Sequence, residues 1–136
     1  MAGYSGKALV VKLGIKKGAR VVALGSPVAY EELVGGLADG AKVANSLRGR
    51  VDFIHFFANS DRELRRIFPK LTKSLVENGM LWVSWPKGAS KVATDLNENV
   101  VRAIGLKAGL VDVKVCAVNE TWSGLKFVYR VKDRKE

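Results

Sequence analysis

The sequence predicts an α/β domain of three layers: a mainly parallel sheet of about six strands, closed by a C-terminal antiparallel hairpin. Three observations carry this. Short apolar runs suited to strands alternate with segments of helical spacing along the whole chain. The runs Arg20–Leu24, Val51–Phe57 and Met80–Ser84 are almost continuously apolar, as strands buried on both faces are. The last two strand-like runs, Val111–Val118 and Leu125–Val131, are joined by a link too short for a crossover, so they must pair antiparallel. No repeat, linker or low-complexity stretch divides the 136 residues. They are expected to form one domain, 1–136, with residues 132–136 a frayed basic tail.

The elements follow in order. Tyr4–Leu13 reads as a short helix with Gly14 placed to end it. After the first strand, Arg20–Leu24, the turn Gly25-Ser26-Pro27 leads into a helix carrying Tyr30, Leu33, Val34 and Leu37. Ser26 is its expected N-cap, Pro27 its first position, and Asp39-Gly40 its end. Lys42–Ala44 is a short second strand and Val51–Phe57 the third. Ser60 and Glu63 have capping-box spacing, so a helix should run from there towards Val76, kinked or restarted at Pro69. Asn78-Gly79 is expected to turn into the fourth strand, Met80–Ser84. Asp95 and Glu98 repeat the capping-box spacing and open a helix through Val100, Val101, Ile104 and Leu106 to Gly109.

Composition narrows the function classes. A chain 48% apolar and 26% charged is an ordinary globular sequence. No apolar run approaches the roughly 20 residues that span a bilayer, and Met1–Gly6 lacks an export core, so the cytoplasm is the expected compartment and no membrane partner is implied. The single cysteine, Cys116, lies in an apolar strand pattern and is expected to be buried and inert. The net charge of +10 raises non-specific affinity for polyanions. It is spread evenly, with 11 Lys and Arg against 6 acids in residues 1–68 and 12 against 7 in residues 69–136. On the helix after Ser60, Arg62, Arg65, Arg66, Lys70 and Lys73 fall opposite Leu64, Ile67, Phe68, Leu71 and Leu75. Such a face is solvated or binds phosphates, and weak non-specific nucleic-acid binding is one functional alternative. No aromatic residue interleaves with these charges, so base stacking is not suggested.

Catalytic signatures are absent from the sequence. His55, the only histidine, shares a strand face with Val51, Phe53 and Phe57, without a second histidine or a cysteine cluster to complete a metal site. It is expected to be a hydrogen-bonded core residue, and no catalytic or metal-binding residue is assigned. No Gly-x-Ser-x-Gly elbow occurs. The carboxyl ends of parallel strands are where α/β sheets hold ligands. Here they present Gly25-Ser26-Pro27, Asn45-Ser46, Asn59-Ser60, Ser84-Trp85-Pro86-Lys87 and Asn119-Glu120-Thr121-Trp122. The expected ligand-binding residues are Ser26, Asn59, Ser60, Trp85, Lys87, Glu120 and Trp122, with two tryptophans, a lysine and a glutamate converging on one rim. Helix N-termini after Ser26, Ser60 and Thr94 would add anion-binding N–H groups. The alternative is that the tryptophans close the core and Lys87 pairs with Glu120.

Two resemblances rest on these residues. The order of strand, helix, short strand, strand with early aspartate (Val51-Asp52-Phe53-Ile54-His55), helix, Asn-Gly, strand, helix and closing hairpin resembles a shortened class I S-adenosylmethionine-dependent methyltransferase domain, with a Rossmann-like fold. The chain is also similar, over nearly its whole length, to a bacterial family catalogued as a domain of unknown function. That similarity rests on Leu13-Gly14-Ile15-Lys16, Leu81-Trp82-Val83-Ser84-Trp85-Pro86-Lys87, Asp95-Leu96, Val111-Asp112-Val113-Lys114-Val115-Cys116 and Glu120-Thr121-Trp122-Ser123-Gly124-Leu125-Lys126. It carries no activity to transfer.

The methyltransferase resemblance implies a cofactor held over a glycine-rich turn after the first strand and an acid at the end of the second. This chain has Gly25-Ser26-Pro27 at the first place and Asn45-Ser46 at the second. Asn45 to Val51 is also too short for the additional strand and helix of full-length enzymes. These departures lead to an expected non-catalytic binding or regulatory domain for a small anionic ligand or a protein partner, with no bound cofactor. The alternative is a divergent methyltransferase using S-adenosylmethionine through Ser26, Asn45 and Asn59.

Overall fold

The computed structural model describes residues 8–37 and 40–133. Along the chain run α1 (Leu9–Leu13), β1 (Arg20–Leu24), α2 (Tyr30–Val34), β2 (Lys42–Ala44), β3 (Val51–Phe57), α3 (Asp61–Ser74), β4 (Leu75–Pro86), α4 (Glu98–Lys107), β5 (Leu110–Ala117) and β6 (Trp122–Tyr129). Single 3-10 turns occupy Gly88–Ser90 and Val131–Asp133. The strands form one sheet in the order β2-β1-β3-β4-β6-β5. β2, β1, β3 and β4 are mutually parallel, and β6 runs antiparallel to both β4 and β5. The mixed α/β sheet closed by an antiparallel pair is the architecture expected from the sequence.

Both faces of the central strands β1, β3 and β4 are covered, which explains their continuous apolar runs. Leu9 and Leu13 of α1 and Tyr30 and Val34 of α2 pack on one face with Val21, Phe53, Phe57, Trp82 and Trp122. Leu64, Phe68 and Leu71 of α3 and Val101 and Ile104 of α4 pack on the other with Ile54, Phe56, Leu81, Val83, Trp85 and Phe127. Val51 departs from the face expected for it and joins the α3 and α4 layer, at a register irregularity between Val51 and Phe53.

Several boundaries differ from expectation for local reasons. α2 ends at Gly35, whose left-handed backbone lets the N–H groups after the helix return to the carbonyls of Glu31 and Glu32. Ser26 does not cap α2; its hydroxyl donates to the Val28 carbonyl, and the helix begins after Ala29. Asp39 and the segment Tyr4–Lys7 lie outside the described residues. Asn78-Gly79 is not a turn. β4 follows α3 directly and absorbs these residues in a bulge, where residues 76–79 stand opposite Asp52 alone. Pro69 lies inside an unbroken α3 because the apolar stripe Leu64, Phe68 and Leu71 docks on both sides of it. Trp122 belongs to β6 rather than to the hairpin turn. Of the expected tail, Lys132 and Asp133 are in the last 3-10 turn and residues 134–136 lie outside the description.

Backbone and ring approach closely between α4 and β6. Gly105 faces Phe127, which is wholly buried and edge-on to Phe68 with ring centroids 5.8 Å apart. A Cβ on Gly105 would lie 2.0 Å from the Phe127 ring. An alanine in a helix is ordinarily better than glycine by about 1 kcal/mol. Here Gly105→Ala should instead cost about 1–3 kcal/mol through overpacking and lower Tm by several degrees in a thermal melt. An unchanged or raised Tm would show that the Phe127 ring has room to turn away.

Candidate functional site

The two tryptophans expected to converge are separated by the sheet. Trp85 is aligned with Ser123, and Trp122 with Pro86, across the β4–β6 ladder. Side chains alternate along a strand, so Trp85 enters the α3 and α4 layer while Trp122 enters the α1 and α2 layer. Trp85 is buried, and Trp122 meets Phe57 edge-on with centroids 5.3 Å apart. Lys87 is half-buried and Glu120 exposed, and no described ion pair joins them. The Lys87 main-chain N–H donates to the Thr121 carbonyl, which brings the two exits together through backbone instead.

The exit of β3 is closed by its own chain. Ser60 Oγ accepts from the Glu63 N–H at 3.1 Å, and Glu63 reaches back to the Asn59 N–H at 2.9 Å, so the expected capping box forms one residue displaced at its return bond. Thr94 Oγ1 donates to the Asn59 carbonyl, and Asp95 Oδ1 accepts from the Asp61 N–H at 2.8 Å. Asp95 therefore does not cap α4, whose N-cap is Asn97 accepting from the Val100 N–H. It places a carboxylate on the first N–H of α3, where an anionic ligand was expected. Arg62, Arg66, Lys70 and Lys73 remain on the exposed face of α3, and Arg65 pairs with Asp61 one turn back.

An open site lies at the neighbouring exits of β1 and β2. A cleft of about 490 Å³ is bounded by Ala23, Gly25, Ser26, Tyr30, Glu31 and Asn45. Its size falls in the roughly 300–1,000 Å³ range of small-molecule sites. It adjoins the point where the sheet order reverses, with β2 on one side of β1 and β3 on the other. Gly25 has φ +76°, and a Cβ there would lie 2.9 Å from the Phe57 carbonyl oxygen, so only glycine lets the loop cross the end of β3. Of the residues expected from sequence, Ser26 lines this cleft and Asn59 stands at the adjoining β3 exit. Tyr30, Glu31 and Asn45 complete the wall, and of these only Asn45 had a sequence signal, as the residue at the second strand exit.

Tyr30 ties the cleft wall to the core. Its hydroxyl lies 2.6 Å from His55 Nδ1, and His55 Nε2 lies 2.7 Å from Ser84 Oγ. His55 and Ser84 are wholly buried, and the His55 ring stacks on Phe57 with centroids 4.2 Å apart. Both ring nitrogens are thus partnered, as expected for a core histidine. Burial pushes the imidazole down to about 3 and the Tyr30 phenol above its ordinary range. The chain resembles Ser-His catalysis in its connectivity, but solvent reaches neither His55 nor Ser84. Cys116 is buried in the same layer, as expected.

Comparison with solved structures identifies the class of fold. The chain is similar to an S-adenosylmethionine-dependent methyltransferase from Aquifex aeolicus, with 16% identity, a TM-score of 0.63, and 86% of this chain and 85% of that one covered. It is similar to the Methanococcus jannaschii fibrillarin pre-rRNA processing protein, with 15% identity, a TM-score of 0.63, and coverage of 90% and 73%. A third similar structure is the magnesium protoporphyrin IX methyltransferase from Synechocystis with bound S-adenosylmethionine, at 14% identity, a TM-score of 0.57, and coverage of 90% and 74%. The fold is that of the class I, Rossmann-like methyltransferases. No protein-family model and no curated protein matches the chain. No described helix is long and apolar enough to cross a membrane.

The His55 network sets a pH dependence. The unfolded chain binds a proton at this ring near pH 6.5, whereas the folded protein resists doing so until about pH 3. Between these values acid favours the unfolded state, so this group should remove about 1.4 kcal/mol of stability per pH unit as pH falls below about 6. Urea unfolding at pH 7, 6 and 5 measures the loss. His55 ring-proton shifts should stay constant from pH 8 to 5, and titration near 6.5 would contradict the neutral buried ring.

Proposed function

We propose that the chain is a divergent S-adenosylmethionine-dependent methyltransferase domain that takes its cofactor in the cleft at the ends of β1 and β2. The observation that carries this reading is the cleft itself, of suitable volume and beside the switch point of a methyltransferase-like sheet. The residues present fit such a group. Asn45, at the β2 exit, offers an amide oxygen to ribose hydroxyls where the class has an acid, and Glu31 adds a carboxylate to the same wall. Gly25 keeps the first loop low. Pro27 removes one backbone donor and Ser26 spends its hydroxyl on Val28, so side chains carry more of the recognition than in a glycine-rich loop.

The cofactor supplies an electrophilic methyl group on a sulfonium. Asn59 is the exposed polar side chain at the adjoining exit, and its main chain is held at both ends by Glu63 and Thr94, so it is a fixed group for orienting an acceptor. The acceptor brings its own lone pair, because the one imidazole of the chain is sealed in the core. Tyr30 positions the wall rather than reacting.

Calorimetry with S-adenosylmethionine and S-adenosylhomocysteine tests the reading. Saturable binding is expected for the wild type. Asn45→Ala and Glu31→Gln, both at exposed positions, should each weaken it about tenfold, equivalent to about 1.4 kcal/mol, without changing Tm. No saturation with either ligand at millimolar concentration would sink the proposal. Binding without methyl transfer to added amine or thiol acceptors would define a ligand-responsive binding domain instead.

A further inference from the structure

A second cleft lies at the opposite, amino end of β1 and β3. Its volume is about 230 Å³, and its wall includes Gly14, Lys16, Lys17, Asp52, Asn78 and Met80. This is smaller than the roughly 300 Å³ at which drug-sized sites begin. Lys126 borders it. The Lys126 Nζ lies 4.0 Å from the point where a Cβ on Gly14 would sit, and Met80 Sδ lies 3.2 Å from the same point.

Lys126 is directly opposite Lys114 on the β5–β6 ladder, on the sheet face that carries Trp82 and α1. Like charges so placed are mutually destabilising. Lys114 has a partial structural reason for its position, since its Nζ donates to the Lys12 carbonyl at the end of α1. Among the described residues neither Lys126 nor Lys16 has such an acceptor, and no carboxylate forms an ion pair with Lys16, Lys114 or Lys126. Asp52, across the cleft, accepts from the Arg20 main-chain N–H. Burial, together with the charges of Lys114 and Lys16, holds the Lys126 ammonium below its ordinary range.

We infer that this lysine-rimmed cleft is a binding site for a small phosphorylated anion, of the size of a pyrophosphoryl group, held by Lys16, Lys114 and Lys126. The cleft admits a ligand smaller than a nucleoside, and three ammonium groups supply the charge that a compact polyanion neutralises. The site is independent of the cleft at the other end of β1.

Titration with inorganic pyrophosphate, followed by calorimetry and thermal shift at low and at physiological salt, tests it. Saturable binding that raises the wild-type Tm is expected. Lys126→Met should weaken binding at least tenfold and, without ligand, raise Tm by relieving repulsion; Lys16→Gln, at an exposed position, should weaken binding several-fold with Tm unchanged. Arg62→Gln with Lys70→Gln on α3, and Asn45→Ala in the other cleft, should leave binding intact. Uridine diphosphate tests whether an ester is tolerated: equal binding means that only the pyrophosphoryl group is held and the nucleoside lies outside the cleft, and binding of inorganic pyrophosphate alone assigns the free anion. Absence of saturation at 10 mM pyrophosphate (roughly the weakest useful affinity) overturns the inference. Equal losses in the α3 variant, or binding only to long oligonucleotides, would also overturn it by showing diffuse charge attraction.

Discussion

The buried chain Tyr30–His55–Ser84 is the interaction on which the arrangement of the working end depends. It links α2 to β3 and β3 to β4 through a neutral ring whose two nitrogens are both satisfied. An unpaired polar group at this depth costs about 1–3 kcal/mol, so the core tolerates this histidine only with both partners in place. That requirement fixes Tyr30, and Tyr30 fixes the start of a helix only five residues long. Such a helix has little stability of its own and takes its position from tertiary contacts. Glu31 follows Tyr30 directly, so the cleft wall inherits its geometry from the core.

The same sheet explains why one exit stays open while others are closed. The short connection from Asn45 to Val51 leaves β2 as a three-residue edge strand, with no described strand beyond it in the sheet order. The exits of β3 and β4 lie at the middle of the sheet, where neighbouring segments reach them. Thr94 and Asp95 bind down over Asn59 and Asp61, and the Lys87 backbone joins Thr121. The two clefts therefore sit at opposite ends of β1. One is bounded by polar groups and Glu31, the other by lysines together with Asp52.

Much of the fold was legible from local pattern. Arg20–Leu24, Lys42–Ala44 and Val51–Phe57 have the bounds expected of them, because apolar runs between polar turns leave few other registers. Ser60 and Glu63 also behaved as a capping motif, since the bonds concerned span only three or four residues. Asn78-Gly79 misled because a turn dipeptide also suits a bulge, and its neighbour β3, distant in sequence, decided between the two. Asp95 misled in the same way: its spacing to Glu98 is right for a local cap, but the N–H it satisfies is 34 residues away on Asp61.

The candidate site was less legible, and the reason is the sheet's two faces. Chain order correctly brings the β4 and β6 ends together, but the register of the ladder decides which face each side chain takes. One residue of offset sends Trp85 and Trp122 into different layers. By itself the sequence determined the alternation of strands and helices, the buried histidine and the closing hairpin, because each follows from spacing along the chain. Tertiary structure alone decided that Tyr30 and Ser84 flank His55, that Lys114 meets Lys126, and that Glu31 and Asn45 share a wall. Those contacts depend on strand register and on which element covers which face, and neither is recorded in any local run of residues.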